Sequence, residues 1–214
     1  MEDYVASEEK NDLLFQRSLN NVVERYANKY EGVFAHETVE RVVYESYAAL
    51  LRTAKNKQYL ITLTEKFSGD RLRSLFVSQD ESRKDKPEVL FVCVQNAGRS
   101  QMAMAFMNEL SEGKVVVRSA GSMPASEVSA KAVEVMKEIG IELTEAFPKP
   151  LTDDVVRASD VVITMGCGDA CPLYPGKRYL DWDLDDPAEL ELDQVRRVRD
   201  EIKARVEALL VELI

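Results

Sequence analysis

Hydrophobic positions follow two different rhythms along this chain. Up to about residue 76 they recur at helical spacing. Ser7–Lys29 carries Phe15, Leu19, Val22, Val23 and Tyr26; Glu37–Thr53 carries Val39, Val43, Tyr47 and Leu50; Lys57–Phe67 carries Leu60, Leu63 and Phe67. Gly69-Asp70 is expected to break the third helix, with Asp70 capping a last helical piece that bears Leu72, Leu75 and Phe76. Residues 1–6 read as a loose tail. Each helix has one apolar stripe, so the helices must cover one another, which predicts a small all-α three-helix bundle. Residues 78–86, S-Q-D-E-S-R-K-D-K, are polar throughout and Pro87 follows, which marks a linker and divides the chain into domains 1–86 and 87–214.

Beyond the linker the rhythm changes. Val89, Leu90, Phe91 and Val92 form an unbroken apolar run, the pattern of a strand buried on both faces of a parallel sheet. A helical stripe follows (Met102, Phe106, Met107, Leu110), then a strand at Val115–Ser119 closed by Ala120-Gly121. Next come a helix over Ser126–Ile139 and a short one capped by Thr152, with acidic residues in its first turn. Asp160 leads into V-V-I-T-M as a third strand, Arg178–Trp182 forms a fourth, and Asp193–Leu210 closes the chain as a long helix. Strand and helix alternate as a doubly wound four-stranded parallel sheet requires, so the fold class is α/β behind an all-α unit.

Composition narrows what such a chain does. With 38 acidic and 28 basic residues among 214, the net charge is −10, which argues against nucleic-acid binding. Residues 87–214 alone hold 14 basic and 23 acidic side chains, about −9, so an anionic ligand there must be held by local dipoles and not by long-range attraction. No apolar run approaches about 18 residues and no basic-then-apolar leader is present, so a cytoplasmic protein is expected, without a membrane span. Three cysteines in that setting suit catalysis or redox chemistry better than a disulfide framework. No zinc-type ligand cluster is present, and the single histidine, His36, sits among polar residues as solvated surface.

The chemistry concentrates where the first apolar run stops at Cys93. Val94, Gln95, Asn96, Ala97 and Gly98 form a loop that enters a helix at Arg99-Ser100. Backbone N–H groups of such a loop converge on one point, the helix N-terminus adds a positive dipole end, and the Arg99 guanidinium offers a planar fork to two oxygens of a tetrahedral anion. At the floor of that field the thiolate of Cys93 is favoured over the thiol, and the thiolate is the nucleophile. Asn96 is a residue type that tolerates φ > 0.

Cys93-x5-Arg99-Ser100 at a strand-to-helix junction resembles the phosphate-binding loop of the low-molecular-weight protein tyrosine phosphatases and of the arsenate reductases built on the same Rossmann-like fold. The resemblance covers residues 87–214: the loop, the S-A-G after the second strand, K-x-L-T-x-x-x-V before the third, and Asp186-Pro187. Residues 1–86 resemble a three-helix domain that precedes the enzyme in some actinobacterial-type members. The resemblance implies that Val94 to Ser100 bind the oxyanion, that Ser100 hydrogen-bonds the sulfur of Cys93, and that Asp186 is the general acid. Asp181, Asp183 and Asp185 compete as surface carboxylates, and only the adjoining Pro187 singles Asp186 out.

Within that superfamily the residues lean toward arsenate. Ser100-Gln101-Met102-Ala103 resembles the R-S-Q-M-A run of the reductases, and Gly98 and Gln101 stand where the phosphatases usually carry a cysteine and a proline. Ala188 and Glu189 follow Asp186-Pro187 in place of the tyrosines that stack on an aryl substrate. Met104 stands where many relatives have a glutamate that helps bind potassium, so no metal is expected. Cys167 and Cys171, after the third strand, resemble the cysteine pair that regenerates thioredoxin-coupled reductases, which implies resolving roles for Cys167 first and Cys171 second. Helical i and i+4 Cβ atoms lie roughly 5–6 Å apart, whereas a disulfide wants about 3.5–4.5 Å, so that segment must be non-helical when the two join. The expected activity is reduction of arsenate to arsenite with no bound cofactor and an external thiol reductant: thioredoxin, or mycothiol with a glutaredoxin-like mycoredoxin. A phosphomonoesterase is the alternative, and the bundle is a candidate homodimer interface.

Overall fold

The computed structural model describes the backbone of residues 2–55, 57–166 and 171–214, and the side chains of those residues from Leu14 onward. Two compact units are present, Met1–Phe76 and Val77–Ile214. In the first, α1 (Glu2–Lys29), α2 (His36–Leu51) and most of α3 (Leu60–Ser78) enclose Leu19, Val22, Val23, Val39, Val42, Val43 and Leu72. Phe15 packs on Tyr47 at 5.0 Å between ring centroids, and Tyr30 packs on Phe34 and Phe76 at 5.2 and 5.9 Å. The apolar stripes read from the sequence are therefore the packed faces. Two local expectations fail. The opening segment is not a loose tail: α1 begins at Glu2, in a stretch rich in the helix formers Glu, Ala and Lys.

Nor does Gly69-Asp70 break a helix, since α3 runs through it. A Cβ on Gly69 would lie 2.3 Å from the Tyr26 hydroxyl oxygen, which sits there to donate a 2.9 Å hydrogen bond to the Glu65 carbonyl. The glycine is a place where a side chain crosses a helix closely, and the turn signal it mimics is overridden by packing.

The second unit begins with the polar stretch read as a linker. Asp80 accepts from the Ser82 N–H to cap a 3₁₀ turn at Glu81–Arg83, Lys84 pairs with Asp160 at 2.6 Å, and Glu81 pairs with Lys177 at 3.2 Å, so the segment is tied to this unit. The described strands, β1 (Glu88–Cys93), β2 (Val116–Gly121), β3 (Val161–Met165) and β4 (Arg178–Asp181), form one parallel sheet in the order β2-β1-β3-β4. In register, Val89 stands between Val117 and Val161. The helices α4 (Arg99–Ser111), α5 (Ala130–Lys137), α6 (Asp153–Ala158) and α7 (Leu192–Leu213) connect and cover the strands.

β1 alternates its side chains between two cores. Val89, Phe91 and Cys93 face a cluster with Met102, Phe106, Val135, Trp182, Val198 and Ile202, while Leu90 and Val92 face Ala120, Val155, Val156, Val162 and Cys171. Burial on both faces explains the unbroken apolar run. A buried ion pair, Arg118 to Glu88 at 2.6 Å, lies at the opposite end of β1 from Cys93. The chain leaves β1 for one neighbour, β2, and returns to the other, β3, so the carboxyl end of β1 is a topological switch point, where open α/β sheets bind ligands. Cys93 is its last residue. The helix expected over 126–139 is shorter, because the 122–129 segment is drawn onto the loop after β1.

Candidate active site

Outward-turned carbonyls shape the loop. Those of Cys93, Val94, Gln95 and Ala97 accept from the backbone N–H groups of Ser122, Met123, Ala125 and Ser129 at 2.8–3.2 Å, and Asn96 O accepts from Gln101 Nε2 at 3.0 Å. In a trans peptide the N–H of the next residue points opposite its carbonyl, so the amides of Val94 to Gly98 turn inward. Of these, the Asn96 N–H reaches Cys93 Sγ at 3.2 Å. The sequence places a glycine where this arrangement needs one: a Cβ on Gly121 would meet Val94 O at 2.8 Å and Asn96 Cβ at 2.9 Å. That is the physical content of the S-A-G motif.

Asn96 takes the left-handed conformation, φ 48°. Its Oδ1 accepts from the Lys149 N–H at 2.8 Å and from Gln101 Nε2 at 3.2 Å, and its Nδ2 donates to Ser100 Oγ at 2.8 Å. Ser100 Oγ lies 3.0 Å from Cys93 Sγ. Because the hydroxyl oxygen is already accepting from Asn96, its hydrogen is available to the sulfur. Donors thus converge on the sulfur of a buried Cys93.

Arg99 is buried against the same cup. Its Nη2 donates to Asp186 Oδ2 at 2.7 Å and its Nη1 to the Leu184 carbonyl at 3.1 Å, and Gly166, at φ +71°, leaves room for the guanidinium where a Cβ would stand 3.0 Å from Nη1. Asp186 is half-exposed and its other oxygen accepts from the Ala188 N–H at 3.0 Å. Of the four neighbouring aspartates it is Asp186 that meets Arg99. Among the described residues, the cleft is lined by Cys93, Gln95, Ala97, Gly98, Arg99, Ser129, Asp186, Pro187 and Ala188, without an aromatic side chain.

The structure brings together Cys93, Asn96, Arg99, Ser100 and Asp186. Cys171 is elsewhere: it is buried in the core on the other face of β1, with Leu90, Val92 and Val162. Cys167 lies outside the described residues. Among the described residues no group of three or more His, Cys, Asp and Glu side chains could hold a metal ion, and no helix is long and apolar enough to cross a membrane. Sequence reading missed the part played by Gln101 and by the strap Phe147–Leu151. The signal for the strap was present: with prolines at 148 and 150 it is extended, and Lys149 supplies the N–H between them.

The model of the low molecular weight phosphotyrosine protein phosphatase family matches residues 88–214, more than half of the chain. This chain belongs to that family. Residues 19–76 match the N-terminal domain described as protein-tyrosine-phosphatase-like. Among solved structures, a Corynebacterium glutamicum thioredoxin-dependent arsenate reductase is 48% identical with a TM-score of 0.84, over 91% of this chain and 96% of that one. An arsenate reductase in a phosphate-binding state is 36% identical with a TM-score of 0.54, over 60% of this chain and 99% of its own. The arsenate reductase of Staphylococcus aureus strain N315 is 38% identical over 127 residues, 58% of this chain and 95% of that protein. Both parts of the phosphatase-family chain thus have relatives, and the Corynebacterium protein resembles nearly its whole length.

Proposed function

We propose that this chain reduces arsenate to arsenite with electrons from a thioredoxin-type reductant. The observation that carries the reading is the cup itself: inward amides and a buried arginine around one sulfur, with no aromatic wall, which fits a bare tetrahedral oxyanion better than an aryl ester. Likeness to the Corynebacterium and Staphylococcus reductases supports it.

Arsenate enters with its oxygens on the amides of Val94 to Gly98 and on Arg99, displacing Asp186 from the guanidinium. The Cys93 thiolate attacks arsenic, an S–As bond forms, and Asp186 gives a proton to the departing oxygen, which leaves as water. A second thiol then attacks the Cys93 sulfur. The S–As bond breaks with its electron pair going to arsenic, so arsenite leaves as As(III) and the two thiols are oxidised to a disulfide. Cys167 takes the first resolving step and Cys171 the second, after which the reductant restores the thiols. Cys171 starts in the core on the face of β1 opposite to that of Cys93. The unit Val77–Ile214 carries this chemistry, and the helical unit, Met1–Phe76, is the candidate surface for self-association. Reliance on reduced thiols fits a cytoplasmic setting.

The test is arsenate-dependent NADPH oxidation with thioredoxin and its reductase, run beside p-nitrophenyl phosphate hydrolysis. Sustained arsenate turnover is expected, with loss of both activities in Cys93→Ser and a single turnover in Cys171→Ser. Fast ester hydrolysis without arsenate turnover would make the chain a phosphatase. Turnover with mycothiol and mycoredoxin but not thioredoxin would reassign the reductant.

A further inference from the structure

Gln101 occupies the first turn of α4, is wholly buried, and is not among the residues lining the oxyanion cup. Its Nε2 lies 3.0 Å from Asn96 O, 3.2 Å from Asn96 Oδ1 and 3.0 Å from the Phe147 carbonyl. The opposite amide orientation would set Oε1 against three acceptors, so the donor face is the one turned to the loop. Oε1 is buried without a hydrogen-bond partner. A buried carbonyl left in that state is destabilising, and an apolar side chain of the same length would avoid the cost. What Nε2 holds is therefore the reason for an amide here.

It holds a donor chain that runs one way. Gln101 pins the carbonyl and Oδ1 of Asn96, and by gripping the Phe147 carbonyl it fixes the strap that brings the Lys149 N–H to the same Oδ1. With Oδ1 occupied by two donors, Nδ2 of Asn96 can point only at Ser100 Oγ, whose one hydrogen is then directed to the Cys93 sulfur. We propose that Gln101 is a positioning residue for the nucleophile: through Asn96 and Ser100 it sets the direction of the hydrogen bond received by Cys93, and so how readily that sulfur reacts. This rests on Cys93 being the nucleophile, as the proposed function has it, but not on which oxyanion it attacks.

The test uses the full-length chain without substrate: iodoacetamide alkylation of Cys93, followed at its own peptide by mass spectrometry, so that reaction at other cysteines does not enter. Gln101→Met keeps the length and removes the donors. At about pH 6 its Cys93 should alkylate roughly three- to tenfold more slowly than wild type, with the two rates converging near about pH 9–10, where thiolate forms without help. Ser100→Ala should show a similar deficit. In the Ser100→Ala background, Gln101→Met should add less than about twofold, because the last link is already gone. Should Gln101→Met not fold, Gln101→Leu, also uncharged and without amide donors, takes its place with the same expectations. Wild-type alkylation near pH 6, a deficit that persists at high pH, or an undiminished deficit in the Ser100→Ala background would each overturn the relay. Failure here with arsenate turnover intact would leave the proposed function standing. Loss of arsenate turnover in wild type with the relay intact would leave this inference standing.

Discussion

At the site, single atoms decide between binding and chemistry. Arg99 cannot offer its full fork to an anion while Asp186 Oδ2 sits 2.7 Å from Nη2, so in the proposed reaction the Asp186 carboxylate and the oxyanion compete for one guanidinium. Asp186→Asn removes the competing charge and the proposed proton donor together. Its expected signature is a split: kcat for arsenate falls about 10²–10⁴-fold, while arsenate binding, followed by calorimetry, tightens or stays level. Weaker binding would mean that Asp186 shapes the cup and does not compete for it. Gly121→Ala tests the loop from behind. A methyl placed 2.8 Å from Val94 O must push the loop out of register, so turnover should fall about tenfold or more while the fold persists by circular dichroism. At this scale four of the residues singled out from the sequence, Cys93, Arg99, Ser100 and Asp186, do meet in one place. The sequence marked Gln101 only through the R-S-Q-M-A resemblance and not for its contacts, because a buried amide has no pattern of its own; only its three acceptors reveal them.

Elements were legible through periodicity and misread at their punctuation. The unbroken V-L-F-V of β1 and the stripes of α1, α2 and α7 are packed faces as expected, because burial on two sides or on one leaves a direct imprint on hydropathy. Gly69 is the instructive failure: local turn chemistry predicted a break, and a tertiary contact with Tyr26 explains the residue instead. That contact has a pH consequence. Burial, then the nearby Glu65 carboxylate, push the Tyr26 hydroxyl up from 10 to about 12. A folded-state value above the unfolded one means that stability is full below about pH 10 and is lost as pH rises from there through about 12, because the unfolded chain releases the proton first. Helical-unit melting followed between those limits should therefore steepen its decline with pH in wild type. Tyr26→Phe should flatten it, and an unchanged slope in that variant would assign the alkaline loss to other groups. Gly69→Ala should lower the melting temperature by displacing the ring, whatever the gain in helix propensity.

Over the whole molecule, charge and chemistry pull in opposite directions. The chain carries −10 in total and about −9 within residues 87–214, yet the proposed reaction brings an oxyanion to the site. Attraction is short-ranged, supplied by inward amides and Arg99 within the cup, whereas the surrounding field repels. Screening acts on the second and hardly on the first, since the Debye length is about 10 Å at 0.1 M salt and the cup contacts are far shorter. Added sodium chloride should thus raise kcat/KM for arsenate modestly, about two- to threefold between roughly 0.01 and 0.15 M, the reverse of an enzyme whose surface steers its anion inward. The two-unit organisation was legible as a change of hydrophobic rhythm near residue 87, but no feature of one amino-acid sequence distinguishes a polar linker from a polar segment packed on its own unit. Lys84 with Asp160 and Glu81 with Lys177 make it the latter, and such pairs between distant positions leave no local trace. If kcat/KM instead falls with salt while sulfate and phosphate inhibit equally at both ionic strengths, the field near the cup is positive despite the net charge. Substituting Lys131, which reaches the Ala188 and Leu190 carbonyls beside Asp186, would then locate its source.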